Sequence, residues 1–131
     1  MISAFGGGIG AVVLFVEDLA RSKDFYVGAL EMPVAFEDEA SVIVNLSATM
    51  VVLLQRESAS ELLDGGAVGD GRPPAFQLSV FVDDVNAAHS SLVAKGVPFF
   101  IEPVDRAWGK RTAHFKDPDG HVWELAQDIP A

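Results

Sequence analysis

An α+β fold made of two similar halves is predicted by three features of the sequence. One pattern occurs twice: Ala11–Leu19 (AVVLFVEDL) and Gln77–Val85 (QLSVFVDDV) each place a short apolar run before two acids and an aliphatic residue. The offset is 66 residues, Val16 to Val82, in a chain of 131. Each copy then enters a stretch of helical spacing, with Phe25, Tyr26, Ala29 and Leu30 in the first and Val85, Ala88, Leu92 and Val93 in the second. Extended segments rich in β-branched residues follow each helix. Each half therefore reads strand–helix–strand–strand–strand, with the two sheets joining edge to edge or curling around one cavity and the helices outside.

The individual elements have local causes. Asp18 and Asp84 stand where a helix N-cap belongs, with carboxylates able to accept orphan backbone N–H bonds. Gly96 after Lys95 supplies a helix stop, and Pro33 and Pro98 punctuate the two copies. In the first half, Ser41–Leu46 and Thr49–Leu54 are strand candidates around a turn at Asn45–Ala48. In the second, the candidates are Phe99–Glu102, Arg111–Lys116 and His121–Ala126. Asp117, Pro118, Asp119 and Gly120 form a type I turn signal, with Pro at its second position and Gly at its fourth. The stretch from Arg56 to Pro74 is rich in Gly and Pro after Asp64 and reads as a linker, with an amphipathic fragment around Glu61–Leu63. One domain over residues 1–131 is expected, with module one at about 9–55, the linker at 56–74 and module two at about 75–128; neither half alone is of a size that folds safely.

Composition narrows the function classes. Nineteen acidic against nine basic residues give a net charge of −10, which argues against nucleic acid and against anionic membrane surfaces as partners. With no cysteine, disulfides, thiolate metal sites and Cys nucleophiles are excluded. No apolar run reaches the roughly 18 residues of a membrane span. The apolar start, Met1 to Val16, has no basic leader and is interrupted by Gly6, Gly7 and Gly8, so a cytoplasmic protein is expected.

Four segments carry a family resemblance: Val16–Ser22 with Phe25 and Tyr26, Val82–Val85, Trp108 with Gly109, and above all His114–Leu125 (HFKDPDGHVWEL). On these, nearly the whole chain resembles the vicinal oxygen chelate superfamily of glyoxalases, bleomycin-resistance proteins and extradiol dioxygenases. The resemblance implies paired βαβββ modules forming a U-shaped, incompletely closed barrel around a small-molecule site, commonly in a homodimer.

Enzymes of that family usually hold a divalent metal such as Zn, Fe, Mn or Ni through His, Gln or Glu side chains, one from each of four strands. Carried over by motif, the positions fall on Ala11, Gln77, Glu124 and about Leu53, with Gln55 two residues further along the same strand face. Ala11 and Leu53 have no donor atom. Gln77 and Glu124 alone are a poor match to the three or four ligands of a catalytic transition metal, so a site without cofactor is expected.

Other residues have a functional and a structural reading side by side. His114 is placed to share a sheet face with Glu124 across the hairpin, as a ligand-binding imidazole or a general base, or simply as a residue on a strand. His121, beside the turn, reads as structural, and His89 as a helix surface residue. Glu124 either binds ligand or hydrogen-bonds Gln77 or His114 to shape the pocket. The resemblance puts Trp108 at a cavity rim, where its indole would stack on a planar ligand or merely pack. Phe15 and Phe81 are equivalent and share strand parity with Ala11 and Gln77, so they line the cavity, while Trp123 by parity lies under the helices; Phe36, Phe99 and Phe100 fit either side. The acidic run Glu37, Asp38, Glu39 is a solvated face or a rim for a cationic ligand.

The leading expectation is a metal-free, bleomycin-resistance-like protein that sequesters a small aromatic or cationic compound, conferring antibiotic resistance. The alternative is a metal-dependent glyoxalase-like lyase or isomerase, or a dioxygenase, with the ion held by Gln77, Glu124 and His114. A regulatory domain built on the same scaffold is a third class, with no motif of its own.

Overall fold

The computed structural model describes residues 9–63, 69 and 75–130. The chain divides into two units, Met1–Asp70 and Gly71–Ala131. Each holds one four-stranded mixed sheet with the same plan, so the α+β class and the two βαβββ modules are as expected.

In the first module β1 (Ala11–Val16) leads to α1 (Leu19–Lys23), which widens into a π-helical turn over Asp24–Ala29. There the Leu30 N–H reaches the Phe25 carbonyl at 2.9 Å. Strands β2 (Val34–Glu37), β3 (Ser41–Leu46) and β4 (Thr49–Gln55) follow, in spatial order β1-β4-β3-β2 with β1 and β4 parallel. Strict alternation sends Leu14, Val16, Val42, Val44, Val51 and Leu53 to one face, where all are buried. Tyr26 and Ser22 are buried with them.

The segment expected to be linker begins instead as helix α2 (Arg56–Leu62), with Ala59 fully buried; the rest of that expected linker, apart from Leu63 and Gly69, lies outside the described residues. Strand β2 has no delimited counterpart in the sequence reading. It is a four-residue edge strand exposed along its length, so no burial pattern marks it. Glu37 closes this strand and binds Lys23 at 2.7 Å.

In the second module β5 (Gln77–Phe81), α3 (Val85–Ala94), β6 (Phe99–Arg106), β7 (Lys110–Lys116) and β8 (Val122–Asp128) repeat the plan in the order β5-β8-β7-β6. Val85, Val97, Phe115, Trp123 and Leu125 are buried on the α3 side, where the Phe115 and Trp123 rings stack at 6.2 Å. His89 is not a bare surface residue, because its ring meets Phe99 edge-on at 4.6 Å. Val93, assigned to the apolar stripe, is 49% exposed. Gly96 ends α3 at φ 86°, with Val97 N–H on the Leu92 carbonyl and Gly96 N–H on the Val93 carbonyl, a Schellman stop. On the hairpin, the Arg111 guanidinium holds the Asp105 carboxyl below its ordinary range, donating to it at 2.7 Å. That pair supports the hairpin at neutral pH and is lost only as pH falls through the depressed value.

Both modules start their helix with the same two-part device. Asp18 accepts from the Arg21 N–H at 3.1 Å, and Asp84 from the Ala87 N–H at 3.0 Å, as N-caps. A glutamine from the last strand then accepts the first helical N–H: Gln55 Oε1 takes Leu19 at 3.2 Å and Gln127 Oε1 takes Val85 at 2.7 Å. Orphan donors are thus met from two sides, tying each helix to its sheet. Replacing either acceptor in the second module, Asp84→Ala or Gln127→Ala, is expected to cost about 1 kcal/mol in urea unfolding; a loss under about 0.3 kcal/mol in both would contradict the double cap.

Candidate functional site

Strand pairing places the candidate residues in rows. In the second module Ser79 lies opposite Glu124, and Glu124 opposite His114. Side chains in one row share a face, here the face away from α3, since Phe99, Phe115 and Trp123 occupy the helix side. Gln77 lies one pleat repeat before this row, with Val122 and Lys116, and Phe81 one repeat after it, with Ala126 and Thr112.

The row forms a closed polar cluster. His114 Nε2 lies 3.1 Å from Gln77 Oε1 and 3.1 Å from Glu124 Oε2. Ser79 Oγ donates to Glu124 Oε1 at 2.8 Å, and Gln77 Nε2 leans toward Ser79 Oγ at 3.4 Å. Facing two oxygen acceptors, Nε2 carries the proton and donates to both. Nδ1 is buried without a partner, so in the neutral ring it is the bare lone pair. The His114 and Glu124 side chains are only 10% and 17% exposed, so these bonds work in a low local dielectric, where a charge-assisted bond is worth roughly 1.5–3 kcal/mol.

The Asp117–Gly120 turn sets this register. Asp117 is buried, and its Oδ1 accepts the Asp119 and His121 N–H groups at 3.0 and 2.7 Å while Oδ2 accepts from His121 Nδ1 at 2.7 Å. His121 is therefore structural, as expected. Gly120, at φ 87°, donates its N–H to the Asp117 carbonyl and closes the turn that aligns His114 with Glu124.

The first module repeats the row in aliphatic form. Val13 faces Val52, and Val52 faces Ile43, in the slots of Ser79, Glu124 and His114. The register corrects the assignment of Leu53: the equivalent of Glu124 is Val52, one residue earlier, and Leu53 points to the buried helix side with no exposure. Gln55 shares the Leu53 face and is committed to Leu19 and to the Glu17 carbonyl, so it is no ligand. Ala11 and Phe15 lie on the Val13 face, with Phe15 half-buried.

A divalent metal does not fit this donor set. The only strong donors in the row are one imidazole and one carboxylate, beside a weak amide oxygen, and the Nε2–H already satisfies both oxygens. Among the described residues no group of three or more His, Cys, Asp or Glu converges.

The structure thus unites Gln77, His114 and Glu124, sets Phe81 beside them, and leaves Trp108 apart. Phe15 belongs to the other module. Trp108 sits in the β6–β7 turn, 70% exposed, under the Arg106 guanidinium at 5.8 Å and six residues before His114 in the chain. Sequence reasoning missed Ser79, although the alternation Gln77, Ser79, Phe81 holds it on the same face. It also left Phe100 open, although Phe99 pairs with Phe115 on the helix side and alternation turns Phe100 to the other face, its ring 5.9 Å from His114. A concavity adjoins the cluster and does not coincide with it: a groove of about 410 Å³ lined by Phe81, Val82, Asp83, Lys110, Ala126, Gln127 and Asp128.

Two βαβββ modules, one with a hydrogen-bonded polar row and one with an aliphatic row, define a scaffold class rather than a single chemistry. The chain belongs to the Glyoxalase/Bleomycin resistance protein/Dioxygenase superfamily, whose model matches residues 8–125. It is 32% identical to the uncharacterized protein YraH of Bacillus subtilis, over 86% of this chain and 91% of that protein. In structure it resembles a glyoxalase/bleomycin resistance protein/dioxygenase from Nocardioides, with a TM-score of 0.81 and 21% identity over 95% of this chain and 85% of the other. It also resembles a lactoylglutathione lyase from Agrobacterium tumefaciens, with a TM-score of 0.71 and 17% identity over 92% of each chain. At these identities the two structural likenesses speak for the fold. No helix among the described residues is long and apolar enough to cross a membrane.

Because Asp117 is a buried acceptor for three donors, Asp117→Ala is expected to lower stability by about 3 kcal/mol, against about 1 kcal/mol for His121→Ala. Denaturant unfolding of the two variants checks this, and equal small losses would show that the turn does not depend on the carboxylate.

Proposed function

We propose that the protein binds and sequesters a planar aromatic small molecule on the helix-free face of its second module, without a metal ion, in the manner of a bleomycin-resistance protein. The observation that carries the reading is the buried Nε2–H of His114 shared between Gln77 and Glu124, with exposed Phe81 and Phe100 near it. A few convergent polar groups beside apolar and aromatic surface is the usual make-up of a small-molecule site. The adjoining groove gives the body of such a ligand a place to lie. Sequestration needs affinity alone, so an aliphatic row in the first module is no defect.

The competing reading is a metal-dependent lyase, isomerase or dioxygenase. It has the fold in its favour through the superfamily, and a donor set one strong ligand short against it. Two measurements separate them: metal content of protein purified without chelator, and titration with planar aromatic compounds, bleomycin among them, before and after EDTA. The binding reading predicts far less than one metal per chain, affinity unchanged by EDTA, and about tenfold weaker binding in Glu124→Gln. One tightly held metal per chain, or affinity abolished by EDTA, would overturn it.

A further inference from the structure

Three exposed aromatic rings of the second module each carry a basic side chain. Arg106 lies 5.8 Å from the Trp108 ring, Lys110 5.7 Å from Phe81, and Lys116 4.8 Å from Phe100. Those rings are 70%, 77% and 50% exposed. The faces that would attract a cationic ligand are thus already engaged by the chain's own cations. Lys110 is neutralised by an ion pair with Asp128. Among the described residues Lys116 and Arg106 have no carboxylate partner, and Arg106 donates only to the Thr112 hydroxyl at 3.0 Å.

Lys116 is the better placed of the two. It shares its row with Gln77, and Phe100 sits between it and His114. Glu124, the carboxylate of the adjacent row, has both oxygens engaged, by Ser79 and by His114. Gln77 donates one long bond to Ser79 and has a second N–H to offer.

We propose that the ligand of this face is an aromatic anion, its ring against Phe100 and its acidic group on the Lys116 ammonium and the Gln77 amide, so that Lys116 sets the charge preference. This rests on the binding reading above and goes beyond it by naming the ligand's charge.

The test uses three probes of one shape and different charge on the full chain: 2-naphthoate, neutral 2-naphthamide and 2-naphthylmethylammonium. Affinities come from calorimetry or from amide chemical shifts at low salt. The expected order is anion first by about tenfold or more over the cation, with the anion's advantage shrinking as salt rises. Lys116→Met keeps the aliphatic stem and should weaken naphthoate about tenfold while leaving naphthamide unchanged; Lys116→Glu should reverse the preference. Naphthamide binding with no preference for the anion, or a Lys116→Met variant that binds naphthoate as before, would overturn the charge assignment and leave the binding reading intact. No binding by any of the three would overturn both.

Discussion

A single proton organises the second module's functional face. On Nε2 of His114 it meets Gln77 Oε1 and Glu124 Oε2 at 3.1 Å each, joining three strands through side chains where the backbone ladder already joins them. The Glu124 oxygen could not be buried so far without a donor, and the donor cannot turn away without leaving that carboxylate short of a partner. The other features follow from holding that proton in place. The Asp117 turn fixes the β7–β8 register, Ser79 satisfies the second carboxylate oxygen, and alternation after Phe99 sets Phe100 near the imidazole.

The two modules share their mechanics and differ in their chemistry. Aspartate cap and strand glutamine start the helix in both, at Asp18 with Gln55 and at Asp84 with Gln127. The rows do not match: Val13, Val52 and Ile43 stand where Ser79, Glu124 and His114 stand. A sheet row tolerates this exchange because its backbone bonds do not depend on the side chains, so a polar row in one copy and an aliphatic one in the other leave the fold unchanged. The apolar row also removes the donor atoms a metal would need from that half.

Much of this was legible in the chain. The repeat at Val16 and Val82 exposed the duplication, and alternation in Gln77–Phe81 and Val122–Ala126 placed Gln77, Phe81 and Glu124 on one face and Trp123 on the other. The pairing of His114 with Glu124 followed from the turn between them. What was hidden had a physical cause in each case. Leu53 was assigned in place of Val52 because a period-two pattern reverses its faces on a one-residue slip. The face of Phe100 follows only once Phe99 is known to pair with Phe115, a register the sequence does not announce. The start of α2 at Arg56 was obscured by the Gly and Pro residues further on, and the cations over Phe81, Phe100 and Trp108 depend on tertiary placement alone.

The shared proton is open to direct observation. A long-range nitrogen–proton correlation spectrum of the imidazoles, with His114 assigned by comparison with His114→Gln, reads which ring nitrogen bears hydrogen. The account predicts protonated Nε2 and a bare Nδ1, unchanged by a molar equivalent of Zn²⁺ and altered when Glu124 is replaced by Leu. A proton on Nδ1 with Nε2 bare, or a Nε2 signal that moves stoichiometrically with zinc, would contradict it.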